Sequence, residues 1–260
     1  MINLIRADIY RIVRGKALYI TFALVFVLVL QEILLPGGTI GINNDVIDTD
    51  FGQQTVTGAV AVRSLLTMAD NLVYFLIPLF IAVAMTMFSC GAVKNSLSTW
   101  MSRTRLYLSK LLLSSSMCVV LMLFYVTAGV VVATIARGFG SWTEPSPLTI
   151  LQAMGAQVVL LLAFNSVGVF LTFVVRNTAA VPGIYIAFAL VPAMIIAVIG
   201  SSVPLLTQYF TYDMAMSMKL FSYIENMTRA DIVKGLAVGV GFLVVSTVAG
   251  IALFRRVEVK

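Results

Sequence analysis

Groups that could carry out acid–base, nucleophilic or metal chemistry are scarce in this sequence. It contains no histidine, which excludes zinc sites of the His-Glu-x-x-His type, Ser–His dyads and haem held by histidine. Its two cysteines, Cys90 and Cys118, lie in or beside apolar runs and show neither metal-ligand spacing nor a disulfide framework. The sequence also lacks a Gly-x-x-x-x-Gly-Lys-[Ser/Thr] phosphate-binding loop. We therefore expect no catalytic residue and no cofactor or metal bound by this chain.

One polar segment has the residue types that recognise another protein. Residues 94–110 combine hydroxyl groups, cations and two aromatic side chains, and about 17 residues are enough for a short surface helix and a turn. A purely solvated loop would not need Leu97, Trp100 and Met101, which are typical of contacts with an interface or a protein groove. The alternative is that Trp100 belongs to the aromatic belt of a membrane.

The elements that must position this segment are predicted from composition. Of the 260 residues, 60% are hydrophobic and 11% are charged, against about 25% charged in an ordinary soluble domain. The 17 basic and 11 acidic residues are too few to cover a soluble surface. This excludes a soluble enzyme, a nucleic-acid binder and a disordered chain. We expect an all-α integral membrane protein that contacts lipid and binds no nucleic acid.

Six apolar runs are long enough to cross a membrane. A spanning helix needs about 20 residues, because ~30 Å of hydrocarbon is crossed at 1.5 Å per residue. The predicted spans of this single transmembrane domain, residues 1–260, are 17–35, 71–93, 111–136, 148–175, 179–200 and 232–254. We expect prolines to kink the second and fifth spans (Pro78, Pro182 and Pro192). Two pairs of small residues four apart, Gly235 with Gly239 and Ser246 with Gly250, favour close packing of the sixth.

The segments outside the spans have distinct patterns. Residues 1–16 predict an amphipathic interfacial helix, which either only anchors the first span or acts as an elbow that a partner pushes. The outer segment 36–70 is polar, with an amphipathic helix near 53–68. The outer segment 201–231 is apolar but interrupted, and is either a connector lying in lipid or a pair of short re-entrant helices that contacts a substrate.

Charge predicts the orientation of the chain. With both termini in the cytoplasm, 12 of the 17 basic residues lie inside, and only Asp8 and Glu258 oppose them. The inside cations are Arg6, Arg11, Arg14, Lys16, Lys94, Arg103, Arg105, Lys110, Arg176, Arg255, Arg256 and Lys260. No charge lies near the centre of a predicted span, which argues against an ion pump or a proton-coupled carrier.

With this layout, the chain resembles the permease subunit of ATP-binding-cassette exporters of the ABC-2 superfamily. The resemblance rests on residues 1–16, which look like the elbow helix of small bacterial members, and on residues 90–110, which look like their first cytoplasmic loop. That loop carries Lys94-Asn95, then Ser102-Arg103-Thr104, then Tyr107-Leu108-Ser109-Lys110. Where members usually have a glutamate upstream of the loop, this chain has Gly91, Ala92 and Val93.

The resemblance implies partners and site residues. A coupling helix around 94–103 would dock into a cytosolic ATPase subunit, with contacts from Lys94, Asn95, Leu97, Trp100, Met101, Arg103 and Arg105. Two ATPase copies, which bind ATP and Mg, would drive two permeases, as a homodimer, in a bacterial plasma membrane. Small members of this kind export peptides such as phenol-soluble modulins, or give immunity to bacteriocins such as lantibiotics.

The sequence leaves the substrate and the role of the chain open. An amphipathic peptide would follow a path for which our candidates are Gln157, Asn165, Phe210, Met214 and Phe221. Interhelical hydrogen bonding is the default alternative for Gln157 and Asn165. The alternative function is a non-transporting structural or sensory membrane protein that binds a cytosolic partner.

Overall fold

The computed structural model describes residues 2–34, 57–89, 102–142, 146–202, 212–221 and 228–256. Within these ranges every regular element is a helix. In chain order the α-helices are α1 Ile2–Arg14, α2 Lys16–Leu34, α3 Gly58–Thr67, α4 Leu72–Phe80, α5 Thr86–Ser89, α6 Arg103–Arg137, α7 Pro147–Val175, α8 Ala180–Ser202, α9 Met214–Leu220 and α10 Arg229–Arg256. A 3₁₀ turn, Ala69–Asn71, leads into α4, and a π turn, Ile81–Met85, joins α4 to α5.

Four helices, α2, α6, α7 and α10, are long and apolar enough to cross a membrane. A further pair, α3 and the helix Ala69–Met85, is bent by 54° and would make a fifth span if both halves cross together. The shorter apolar stretch Ala180–Ile196 lies in α8. The predicted class, an all-helical protein compatible with a membrane, is therefore confirmed, while the count of six spans stays a prediction.

The bundle is built around α7. This helix packs against α4, α6, α8 and α10, and most of its apolar residues are buried inside the protein. By contrast, α2 and α10 leave most of their apolar surface uncovered. The outward side chains include Ile135 on α6 and Val198 on α8, which are 82% and 69% exposed. Such surfaces suit contact with lipid rather than water.

Both ends of α7 have residues that are typical of helix ends. Ser146 accepts a hydrogen bond from the backbone N–H of Thr149, and Pro147 occupies the first position of α7, as helix starts favour. At its other end α7 stops at Arg176, whose φ of 53° is left-handed. Asn177 Oδ1 then accepts from the N–H of Ala179, at 3.0 Å, before α8 begins. Three polar residues thus separate two apolar helices, as expected.

The prolines that were predicted to kink the helices differ in their positions within them. Pro182 lies in the first turn of α8, where the missing N–H breaks no helical hydrogen bond, so the kink expected there is not required. Pro78 lies inside α4, and the π turn begins directly after α4 ends. The predicted second span, 71–93, is therefore not one regular α-helix over its described part.

The small residues of α10 make room for aromatic side chains. A Cβ at Gly250 would fall on the ring and hydroxyl of Tyr107, which is fully buried, and Tyr107 Oη donates to the carbonyl of Ser246 at 3.5 Å. A Cβ at Gly235 would likewise overlap the ring of Phe221. At these two glycines, an aromatic ring from another element therefore packs directly against the backbone of α10.

Replacing Gly250 by leucine should therefore destabilise the bundle by about 1–3 kcal/mol, because the added side chain overlaps a buried ring. Gly241→Leu in the same helix is the matched control, since a Cβ there meets nothing within 4 Å. Thermal unfolding of the two variants in detergent micelles measures the difference. Equal unfolding midpoints would contradict the packing described for Gly250.

Candidate functional site

The polar segment 94–110 follows α5 in the chain, and its described part, residues 102–110, includes the start of α6. Five of its seven predicted coupling residues, Lys94, Asn95, Leu97, Trp100 and Met101, lie outside the described residues. The other two, Arg103 and Arg105, lie in the first turn of α6, which begins eight residues before the predicted third span. The structure thus describes the helix α5 that precedes this segment and the residues from Ser102 onward, with their contacts.

The helix that precedes the segment, α5, contacts the bundle through aromatic rings. Phe88 of α5 meets Phe173 of α7 edge to face, with ring centroids 5.4 Å apart. Phe173 also contacts Tyr107 of α6 and Phe254 of α10, each at 4.9 Å. We call these four residues the aromatic cluster. The Arg176 guanidinium lies 5.4 Å from the centre of the Phe88 ring, within reach of a cation–π contact.

The C-terminal part of the segment, at the start of α6, is attached by hydrogen bonds to the last turn of α10. Arg103 Nη1 donates to the carbonyl of Arg255 at 2.8 Å and lies 3.5 Å from that of Phe254. Arg255 Nε donates back to Thr104 Oγ1 at 3.1 Å. The last carbonyls of a helix lack helical partners and carry partial negative charge, so an arginine is well suited to them. Arg103 therefore has a structural role, whereas Arg105 is exposed.

Two turns further along α6, a buried ion pair attaches α1. Lys110 Nζ lies 2.6 Å from Asp8 Oδ2, and the two side chains are only 1% and 8% exposed. Arg11 Nη2 lies 3.3 Å from the other oxygen of Asp8. Beside this pair, Ile12 is buried against Val83 and Leu113. The amphipathic helix α1 is therefore docked on α6 as well as joined to α2.

Sequence reasoning missed this ion pair, since Lys110 counted as one cation of a polar loop. The sequence feature that points to an ion pair is Asp8, because it is one of only two acidic residues in the segments predicted to be cytoplasmic. Its spacing to Arg11 predicts a contact within α1, but no sequence pattern indicates Lys110 as the second partner.

At the other end of the bundle, polar side chains form hydrogen bonds with backbone carbonyls at the bend between α3 and α4. Tyr125 Oη lies 2.6 Å from Glu32 Oε2 and 3.1 Å from the carbonyl oxygen of Leu65. Gln157 Nε2 donates to the carbonyl of Leu66 at 2.7 Å. Both carbonyls belong to the last residues of α3, where regular helical bonding stops. Buried groups of this kind need partners inside the protein.

The four described candidates for a substrate path are all buried. Ser114 Oγ donates to Asn165 Oδ1 at 2.5 Å, and Asn165 Nδ2 donates to Ser115 Oγ at 3.4 Å. Gln157 lies two turns away, about 12 Å along α7, so the two amides do not meet. Met214 and Phe221 are 2% and 0% exposed at the two ends of α9.

These contacts are the interhelical hydrogen bonds and packing that polar and apolar residues make by default in a bundle. Phe210, the fifth candidate, lies outside the described residues. A substrate path along these five residues stays a prediction.

No protein-family model matches the chain, and no curated protein is significantly similar to it. Among the described residues, no group of three His, Cys, Asp or Glu side chains could hold a metal ion. A function for this chain must therefore be inferred from its own residues and their contacts.

Replacing Lys110 by methionine should destabilise the protein by about 3 kcal/mol, because Asp8 would stay buried with only Arg11 as a partner. Adding Asp8→Asn should recover most of this loss, since the double variant buries no unpaired charge. Arg6→Gln, which removes an exposed cation of α1, is the control. Equilibrium unfolding in mixed micelles gives the free energies, and equal stability of the single and double variants would contradict the pairing.

Removing the hydroxyl of Tyr125 should cost about 1–3 kcal/mol, because Tyr125→Phe leaves buried acceptors of Glu32 and Leu65 without this donor. Tyr19→Phe, on the exposed side of α2, should change stability little. Hydrogen exchange of the α3 amides in micelles reports whether the bend opens more often in Tyr125→Phe. Unchanged exchange and stability would show that the bend does not depend on this hydroxyl.

Proposed function

We propose that this chain is the permease subunit of an ATP-binding-cassette exporter. In this proposal it has six spans, with α1 as an elbow helix and both termini on the cytoplasmic side of a bacterial plasma membrane. Two copies pair as a homodimer. A separate cytosolic ATPase, present in two copies and holding ATP and Mg, supplies the energy for moving a hydrophobic or amphipathic peptide outward.

The observation that supports the proposal is that the described helix before the polar segment and the described C-terminal part of the segment both contact other helices. Phe88 joins α5 to the aromatic cluster, and Arg103, at the start of α6, donates to the carbonyls of α10. A segment tied in this way transmits a displacement to the helices it joins, because packed helices move as rigid elements. Lys110 extends the connection to α1 through Asp8. A push on the segment therefore reaches α1, α5, α6 and α10 together.

This arrangement suits a partner that supplies mechanical work. Leu97, Trp100 and Met101 have the apolar and aromatic character that fills a groove of another protein, and Lys94, Arg103 and Arg105 add positive charge at its edge. In the proposed cycle, ATP binding draws the two ATPases together and tilts the two polar segments. The paired permeases then open toward the outside.

A peptide substrate fits the character of the transmembrane interior. The described interior offers amides, hydroxyls and aromatic rings, such as Gln157, Asn165 and Phe221. An amphipathic peptide entering from the membrane would have to displace the interhelical hydrogen bonds that Gln157 and Asn165 make, and would then meet amide and aromatic groups rather than a fixed charge. Export of such peptides and self-immunity against them need the same movement, so both roles are compatible with this proposal.

A second candidate function uses the same attachment in another way. A structural or sensory membrane protein would also present residues 94–101 to a cytosolic partner and would transmit its binding to α1, α6 and α10. The two functions differ in whether ATP hydrolysis is coupled to a substrate. Cross-linking of a photoreactive amino acid at position 97 in cells identifies the partner, and the exporter proposal requires an ATP-binding-cassette ATPase.

Replacing Leu97 and Trp100 by alanine should weaken binding of the ATPase by about 2 kcal/mol, on the order of 30-fold, because both are proposed to fill its groove. Peptide-stimulated ATP hydrolysis in proteoliposomes should fall with it. Trp142→Ala is the matched control, since Trp142 lies in the loop that follows α6. Normal stimulation in the Leu97/Trp100 variant would count against the proposed coupling.

A deletion strain tests the substrate class separately. Loss of the gene should raise sensitivity to amphipathic peptides or reduce their secretion, and the wild-type gene should restore both. Unchanged sensitivity and secretion would overturn the peptide proposal while leaving ATP-driven transport of another hydrophobic substrate standing.

A further inference from the structure

A groove lies between two parts of the chain. One is the junction of α1 with α2, and the other is the end of α4 with the first residues of the π turn. Its volume is about 460 Å³, within the ~300–1,000 Å³ range typical of ligand sites. One wall is apolar and consists of Ile77, Pro78, Ile81 and Ala82. The opposite wall comes from residues 11–17 and includes two cations, Arg11 and Lys16.

The shape of the groove follows from three local features. Pro78 has no backbone N–H to donate, and the chain widens into the π turn Ile81–Met85 just beyond it. On the other wall, Gly15 marks the break between α1 and α2, and a Cβ there would lie only 3.2 Å from the carbonyl oxygen of Ile12. Gly15 and Pro78 both line the groove.

The charge along this part of the chain favours an anion. Asp8 is already bound to Lys110 at 2.6 Å and to Arg11 at 3.3 Å. The Arg11 side chain lines the groove and is 40% exposed, and its Nε has no hydrogen-bond partner among the described residues. Arg14 instead stacks on the ring of Tyr10, 4.5 Å from its centre. Arg11 and Lys16 are thus the cations that the groove itself presents.

An occupant must match both the apolar wall and the two cations. Free phosphate would leave the apolar wall uncovered, and a lipid without net charge would leave the positive charge of Arg11 and Lys16 uncompensated. Clusters of cations at the end of a membrane helix attract the anionic lipids of the cytoplasmic leaflet. The exposed apolar residues Ile9 and Val13 on α1 are consistent with an interfacial position of this helix.

We propose that this groove binds one anionic phospholipid, with an acyl chain against Ile77, Pro78 and Ile81 and the phosphate at Arg11 and Lys16. The bound lipid bridges α1 and the π turn, two elements that otherwise meet through Ile12 and Val83. This site requires that the chain lies in a membrane, but it does not depend on the exporter function.

Native mass spectrometry of the full chain in detergent tests the site by titration with dioleoyl phosphatidylglycerol and with dioleoyl phosphatidylcholine. The first phosphatidylglycerol should bind at least about tenfold more tightly than phosphatidylcholine, a difference of about 1.4 kcal/mol. Arg11→Gln with Lys16→Gln should abolish this preference. The matched control, Arg6→Gln with Arg14→Gln, removes the same charge from residues that do not line the groove and should retain it.

Filling the groove tests the acyl chain. Ala17→Phe, at an exposed lining residue, should weaken binding of both lipids about tenfold, whereas Ala23→Phe on the same helix should not. Ala82→Leu on the opposite wall provides a second filling variant, and thermal unfolding without added lipid shows which variants are folded. Excess glycerol 1-phosphate, the soluble headgroup, should not displace the lipid.

Three results would overturn the proposal. Equal loss of preference in the two double variants would mean that the cations act only as a diffuse positive layer. Unchanged lipid binding in the folded filling variants would mean that no acyl chain enters the groove. Displacement by glycerol 1-phosphate would mean that the site recognises a phosphate alone.

Discussion

Most polar side chains that the described part of this helical bundle buries have a partner inside the protein, because surrounding hydrocarbon would offer none. This constraint explains where the polar residues lie. Lys110 is paired with Asp8, Asn165 with two serines of α6, and the carbonyls at the bend after α3 with Tyr125 and Gln157. Each pair joins two helices that are distant in the sequence, so the same contacts that satisfy buried groups also determine which helices are neighbours.

The two ends of the bundle use this constraint differently. At the end that holds Arg103, the aromatic cluster, the Arg103 bonds to α10 and the Asp8–Lys110 pair connect five helices, α1, α5, α6, α7 and α10. At the other end, the bend between α3 and α4 interrupts regular hydrogen bonding and is supported by single side chains. Within the described residues, these contacts connect α3 to α6 and α7, and Tyr125 also contacts Glu32 of α2.

The small residues of α10 show how packing and function are related. Gly250 and Gly235 leave room for Tyr107 and Phe221, so that α10 approaches α6 and α9 closely. Tyr107 is also part of the aromatic cluster, which means that the close approach of α10 brings Phe254 and the α10 carbonyls within reach of α6. The site at the polar segment therefore depends on glycines that the sequence places far from it.

The sequence by itself determined the helical class, the long apolar helices and several of their ends. These properties depend on local features: the length of an apolar run, a serine followed by a proline before α7, and the three polar residues between α7 and α8. Only the tertiary structure decided the pairings. Lys110 had the pattern of a loop cation, but it is buried against an aspartate 102 residues away, and Arg103 serves a helix end about 150 residues later. Such partners are chosen by how helices pack in three dimensions, and that packing leaves no regular spacing in the chain.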